Sequence, residues 1–138
     1  MGFDEMSLSP ASRAELASVD GLEGVAALSA DTNAVFLHRP NDLVLAALAA
    51  RVPGLRHLVT DGNGHELTDR GLAHLAGLRA LETLDLEWSS VTDAGLPLLA
   101  ALPSLCWVDL GGATGVTAEG IARLRTTRPD LEVEALGL

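Results

Sequence analysis

The fold is decided by one stretch of the chain, Leu81-Glu82-Thr83-Leu84-Asp85-Leu86, then Val91-Thr92-Asp93-Ala94-Gly95-Leu96, then Leu99 and Leu102. Its first half alternates apolar and polar residues with a period of two, which is typical of a strand with one buried face. Its second half places leucines three residues apart, which is typical of a helix that packs one stripe against a core. The stretch therefore predicts one strand followed by one helix.

The same pattern occurs again on both sides of this stretch. Its first leucine recurs at Leu55, Leu81, Leu105 and Leu131, with spacings of 26, 24 and 26 residues. The run Thr-Asp-x-Gly-Leu is intact at 68–72 and 92–96 and becomes Thr-Ala-Glu-Gly-Ile at 117–121. Fainter copies lie between residues 21 and 48. We expect about four full strands and five helical segments, because each repeated unit supplies one strand and one helix.

The threonine of each unit is predicted to begin the helix. Thr68, Thr92 and Thr117 stand where a side-chain oxygen can accept a hydrogen bond from the first helical turn. The acids that follow in the first turn are favourable near the positive end of a helix. We therefore interpret them as structural rather than catalytic.

We predict a single domain over residues 1–138. Residues 1–20 are interpreted as an N-terminal tail and capping helix, since Ser9-Pro10 resembles a helix start ahead of residues 11–19. Residues 21–138 hold the repeats. The last unit is expected to be atypical, with Glu134 in the position that Leu84 and Val108 occupy earlier, as for a terminal repeat whose outer side meets water.

The order Leu-x-x-Leu-x-Leu, then Thr-Asp-x-Gly-Leu-x-x-Leu-x-x-Leu, resembles leucine-rich repeats of the ribonuclease-inhibitor-like and cysteine-containing, F-box-associated type, over residues 20–138. The resemblance implies an α/β fold: a short solenoid with a curved parallel sheet and helices on its convex side. It also implies a protein ligand on the concave side. The chain departs from the pattern around Asn41, where the threonine and glycine are missing.

Alternation along the strands assigns a set of residues to the concave face. It places Asp85 beside Asp109 and Asp61 beside Glu87, and gives the last strand Val133, Ala135 and Gly137. The candidate partner-binding residues are Phe36, His38, His57, Asp61, Asp85, Glu87, Trp107 and Asp109. Two interpretations stay open: the acids are an ordinary solvated surface, or they bind a basic partner with Trp107 as the anchor. Trp88 either packs in a loop or borders the same surface.

The function predicted from these features is a protein-interaction module that binds a basic protein, with an inhibitor or immunity protein as one form. A structural segment of a larger assembly is a further interpretation. The alternative from another class is a small enzyme or ligand-binding protein that uses Asp85 and Asp109 as a carboxylate pair. We expect no enzyme, because the sequence has no nucleophile elbow, phosphate loop or zinc signature.

Composition and charge exclude further classes in this interpretation. Nineteen Asp and Glu against nine Lys and Arg give a net charge of −10, which repels nucleic acid and anionic membranes. The single cysteine, the absence of an export signal and a longest apolar run of eight residues favour a cytoplasmic protein. We expect neither metal nor cofactor: His57, His65 and His74 are assigned to separate elements, and the loop at 61–66 lacks calcium-ligand spacing.

Overall fold

The computed structural model describes residues 16–136 of the 138. Within this range the strands are β1 (Ala17–Asp20), β2 (Ala34–His38), β3 (His57–Thr60), β4 (Thr83–Asp85), β5 (Trp107–Asp109) and β6 (Glu132–Glu134). The α-helices are α1 (Gly21–Ala26), α2 (Asp42–Arg51), α3 (Asp69–Ala73), α4 (Leu96–Ala100) and α5 (Ala118–Thr127). Short 3₁₀ turns at His74–Gly77 and Asp93–Gly95 extend α3 and precede α4.

All six strands form one parallel sheet in sequence order, β1 to β6. Parallel neighbours need a crossover connection, and a helical segment follows every strand but the last. Successive helical segments contact one another, so they form one layer along one side of the sheet. The predicted α/β class with a parallel sheet is confirmed.

The core lies between the sheet and this helical layer. One strand position from each of five strands faces it, and the register aligns these residues in a row: Val35, Leu58, Leu84, Val108 and Val133. All five are buried, as are the leucines at three-residue spacing in the helices. The apolar residues spaced by two in the strands and those spaced by three in the helices therefore pack together in one apolar cluster.

The threonines begin the helical segments as predicted. The Oγ1 atoms of Thr68 and Thr92 each accept a hydrogen bond at 3.2 Å from the N–H two residues later. Thr117 Oγ1 accepts one at 3.0 Å from the N–H of Gly120. Each threonine thus satisfies a backbone donor that the helix itself leaves unpaired.

The acids of the first turns also bind the next unit, which the sequence did not reveal. Asp69 accepts from the N–H of Thr92 at 2.9 Å and from its hydroxyl at 2.6 Å. Asp93 makes the same pair of bonds to Thr117. A Cβ at Gly95 would overlap Asp69 Oδ1. The spacing Thr-Asp-x-Gly therefore reflects a link between units, which we call the Asp-to-Thr bracket: the threonine of one unit donates two hydrogen bonds to the acid of the preceding unit. The glycine leaves room for that acid because it has no side chain.

The N-terminal segment corrects one prediction. Ala17–Asp20 is a strand paired in parallel with β2, not part of a capping helix. Val19 is buried in the core while Ser18 and Asp20 are exposed, so this segment has strand periodicity too short to be recognised in isolation. The rest of the predicted tail and helix lies outside the described residues. The described chain has six strands rather than about four.

The register of the last strand also differs from the prediction. Glu132 pairs with Trp107 and Glu134 with Asp109, whereas Val133 and Ala135 were expected in those places. Val133 is 7% exposed and belongs to the core. Burial of this one apolar side chain decides the register, because a shift by one residue exchanges the two faces of a strand. Gly137 lies outside the described residues.

Over residues 16–136, no helix has the length and apolar character needed to cross a bilayer.

Candidate functional site

We call the side of the sheet opposite the helices the open face. Strand register brings His57, Thr83 and Trp107 into one row across it. The next row contains Asp85, Asp109 and Glu134. Asp85 and Asp109 are therefore direct neighbours, as alternation along the strands predicts. Glu134 adds a third acid to this row, in the place where the register expected from the sequence had Ala135.

Asp85 and Asp109 are buried, although the sequence suggested that both point to solvent. Only 2% of Asp85 and 1% of Asp109 is exposed. Asp85 accepts hydrogen bonds from the N–H of Glu87 at 3.0 Å and of Thr60 at 3.2 Å, and Asp109 Oδ1 accepts from the N–H of Gly111 at 2.8 Å. Burial raises the pKa of Asp85. Burial, with the nearby Asp85 charge, raises the pKa of Asp109 to about 6.

Glu87 completes a group of three carboxylates, which we call the acid cluster: Asp85, Glu87 and Asp109. One oxygen from each lies within 4.8 Å of the others. Burial, and then the charges of Asp85 and Asp109, raise the pKa of Glu87 to about 7. Oδ2 of Asp109 is buried and has no hydrogen-bond partner within the part of the chain that the structure describes. The cluster is thus a concentration of negative charge with one oxygen unsatisfied.

Asp61 does not belong to the acid cluster, contrary to the expected contact with Glu87. It accepts hydrogen bonds from the N–H of Arg39 at 2.9 Å and of Asn63 at 3.0 Å, and His38 Nδ1 lies 4.0 Å from it. Burial alone would raise the pKa of Asp61, but these hydrogen bonds outweigh it and the pKa is lowered. The four predicted acids therefore separate into a cluster of three and one acid held by backbone N–H groups of its own loop and of the loop after β2.

The remaining predicted site residues divide into two that are almost covered, Trp107 and His57, and two that are half-buried, Phe36 and His38. Trp107 is 8% exposed and His57 9% exposed, so Trp107 is not the accessible anchor that the sequence suggested. His57 Nδ1 lies 3.0 Å from Thr83 Oγ1, and burial lowers the pKa of its imidazole. Phe36 and His38 are half-buried and their rings pack at 4.8 Å with a tilt of 59°.

Trp88 is the accessible aromatic residue of this region, and it was not among the predicted site residues. Its side chain is 59% exposed. A Cβ built on Gly112 would lie 2.5, 2.6 and 2.8 Å from three ring atoms of the indole. The ring therefore lies against the backbone of Gly112 while much of it stays in contact with solvent. A tryptophan at the end of a strand, in a chain with only two, is the signal that could have identified it.

The backbone of Trp88 is unusual as well. Its φ is +60°, a left-handed conformation that is rare for a bulky side chain. Register shows that the same loop position is left-handed after each of the first five strands: Gly21, Arg39, Gly62, Trp88 and Gly112. Three of these are glycine, which adopts this conformation without steric penalty. Trp88 and Arg39 thus occupy a loop position that is left-handed in each of these units, where glycine would be less strained.

A cavity of about 340 Å³ opens between Trp88 and the acid cluster at the carboxyl ends of β4, β5 and β6. Its lining residues are Glu87, Trp88, Asp109, Gly111, Gly112, Thr114 and Leu136. A second cavity of about 420 Å³ lies on the helical side between α4 and α5. The first combines an aromatic ring, carboxylates and glycine backbone, so we regard it as the candidate site.

Comparison with known proteins gives one distant similarity. No family model matches the chain. The chain is 28% identical over 110 residues to the "Putative RNA-binding protein EEED8.10" of Caenorhabditis elegans. The match covers 73% of this chain and 14% of that protein. The chain therefore spans about one seventh of the length of this relative.

This similarity corrects two predictions made from the sequence. The exclusion of nucleic acid as a partner was wrong, and so was the assignment as a module for a basic protein partner, whether inhibitor or immunity protein. Net charge was a poor basis for both, because it describes the whole molecule. An individual site can bind through stacking or through a bound cation even when the overall charge is negative.

Proposed function

We propose that this chain is a short leucine-rich-repeat solenoid that binds single-stranded RNA at the cavity beside Trp88. The solenoid is supported by the repeat period, the six sequential parallel strands and the Asp-to-Thr bracket between successive units. In such an arrangement each unit contacts only its neighbours along the chain. The helical layer would be the convex side and the open face the concave side.

The observation that carries the RNA proposal is the exposed indole of Trp88. Single-stranded RNA presents unstacked bases that bind flat against aromatic side chains. Trp88 offers such a ring, supported from behind by Gly112 and 59% exposed to solvent. The similarity to the C. elegans protein, whose name describes RNA binding, supports this choice of ligand.

Charge determines what kind of RNA binding this would be. None of the residues within 16–136 that line the cavity beside Trp88 is an arginine, and the acid cluster repels phosphate. Binding would depend on stacking and on contacts to base edges, with little release of counterions. We therefore expect an affinity that changes little with salt, unlike the steep decline seen when basic residues neutralise phosphates. We do not assign acid–base catalysis to Asp85 and Asp109, because both side chains are almost completely buried.

The test is fluorescence anisotropy with labelled single-stranded oligoribonucleotides of each base. Trp88→Ala should reduce the affinity by about 1–3 kcal/mol, the usual contribution of one base stacked on an aromatic ring. Trp88→Phe should retain most of the affinity. Leu22→Ala serves as the control, since Leu22 is 47% exposed but lies on α1 in the helical layer.

Two results would contradict the proposal. One is an absence of binding to any of these oligonucleotides up to about 0.1 mM protein, the weak end of ordinary non-specific affinity. The other is equal affinity in the wild type and in Trp88→Ala. Comparing Trp88→Gly with Trp88→Ala checks the backbone argument separately: both lose the ring, but glycine should leave the domain more stable by about 1–2 kcal/mol.

A further inference from the structure

We propose that Asp85, Glu87 and Asp109 bind one divalent cation of the hard, oxygen-preferring class. Asp85 and Asp109 come from the neighbouring strands β4 and β5, whose register makes them direct neighbours. Glu87 lies two residues beyond the end of β4. One oxygen from each lies within 4.8 Å of the others. This proposal departs from the expectation, made from the sequence, that the chain has no metal site.

The unsatisfied oxygen of Asp109 is the observation that separates this cluster from an ordinary acidic surface. Asp109 is 1% exposed, its Oδ1 is held by the N–H of Gly111, and its Oδ2 has no hydrogen-bond partner among residues 16–136. A buried charged oxygen without a donor is strongly unfavourable. A cation bound among the three carboxylates would give Oδ2 the partner that it lacks.

No positively charged side chain of residues 16–136 forms an ion pair with the acid cluster. The arginine ion pairs in that range engage Asp20, Glu82, Asp93 and Asp130. Like charges placed directly opposite on neighbouring strands destabilise a sheet, and here two of them are also buried. A divalent cation would reverse this repulsion.

The spacing of the oxygens indicates which cation fits. Calcium binds oxygen ligands at about 2.3–2.6 Å in flexible geometry, so oxygens up to about 5 Å apart can share it. Magnesium requires about 2.0–2.1 Å and nearly ideal octahedral geometry, so the carboxylates would have to move closer together. Glu87 and Asp109 line the cavity beside Trp88, which leaves space for water to complete the coordination. We therefore expect calcium to bind more tightly than magnesium.

The cation would also take part in the proposed binding of RNA, and this part of the inference rests on the proposed function. Coordination positions that face the cavity could accept a phosphate oxygen of an RNA whose base stacks on Trp88. The acid cluster would then become a contact for phosphate. Cation binding itself needs no RNA, so the two proposals can fail independently.

The experiment is isothermal titration of the full chain, freed of metal by a chelator, with CaCl₂, MgCl₂ and MnCl₂ in the absence of RNA. We expect saturable binding of one calcium ion per chain. Asp109→Asn should weaken it at least about tenfold, since it removes one charged ligand oxygen. Glu87→Gln should weaken it as well, and it replaces a half-buried residue that is less critical for folding. Circular dichroism verifies that both variants are folded.

Two control variants make the result specific. Glu119→Gln removes an exposed acid of α5, in the helical layer on the side of the sheet opposite the open face, and should bind calcium like the wild type. Trp88→Ala should also retain calcium while losing RNA, which separates this site from the stacking surface. Absence of saturable binding with all three metals would overturn the proposal. Equal weakening by Glu119→Gln and Asp109→Asn would also overturn it, because it would show only non-specific attraction to an acidic protein.

Discussion

Thr92 and Asp69 belong to successive units and are joined by two hydrogen bonds to the same carboxylate. The N–H of Thr92 donates to Oδ1 at 2.9 Å and its hydroxyl donates to Oδ2 at 2.6 Å. The same hydroxyl oxygen accepts from the N–H of Ala94 at 3.2 Å. One side chain therefore begins its own helical segment and fastens it to the preceding one.

Thr92→Ala should lower the free energy of unfolding by about 1.5–3 kcal/mol. The change removes a helix cap and leaves one oxygen of Asp69 without its donor. Urea unfolding of both proteins measures the difference. Thr126→Ala is the matched control, because the hydroxyl of Thr126 is exposed and donates only within α5. Equal losses in the two variants would show that the bracket contributes nothing.

Gly95→Ala should destabilise the domain, although Gly95 has no left-handed backbone. Its Cβ would overlap Asp69 Oδ1, so the bracket to Thr92 would have to shift. Overpacking of this kind typically costs about 1–3 kcal/mol. The control is Gly77→Ala, since no atom lies within 4 Å of a Cβ at that position, and it should be neutral or stabilising by about 0.4–1 kcal/mol. Thermal unfolding of both variants measures the contrast; a stable Gly95→Ala protein would disprove the steric role.

Leu84→Ala should lower the free energy of unfolding by about 2–5 kcal/mol, because it leaves a cavity at the centre of the core. Leu84 is fully buried in β4, between Leu58 and Val108. Leu43→Ala makes the same chemical change at a side chain that is 67% exposed and should alter stability by about 0.5 kcal/mol or less. Urea unfolding curves decide the comparison. A loss below about 1 kcal/mol at Leu84 would be incompatible with its central position.

Protonation of His57 should lower the free energy of unfolding as the solution becomes acidic. Burial holds the pKa of its imidazole below the ordinary value of 6.5, so the unfolded chain takes up the proton first. The contribution of His57 is therefore complete above pH 6.5 and is lost as the pH falls through 6.5 toward the folded-state pKa. His57→Gln should lack this component. The measurement is the difference in free energy of unfolding between the two proteins at about pH 7.5 and about pH 5. A difference that does not change with pH would refute the assignment.

The sequence by itself determined the repeating part of this fold. Apolar residues at two spacings predicted the alternation of strands and helices, and the threonines marked where the helical segments begin. Periodicity also placed Asp85 next to Asp109, because register between repeats follows from equal spacing of the units. It failed at both ends of the described chain. There, β1 is too short to show a period, and Val133 shifts the last strand by one residue.

Only the tertiary structure decided which surface residues can form a site. Burial is a property of the assembled sheet, so no local pattern showed that Trp107 is covered while Trp88 is open. The unsatisfied oxygen of Asp109 likewise depends on where the N–H of Gly111 points. The link from Asp69 to Thr92 joins residues 23 positions apart in the chain. The sequence specifies the repeated unit, and contacts between units determine which of its side chains are exposed.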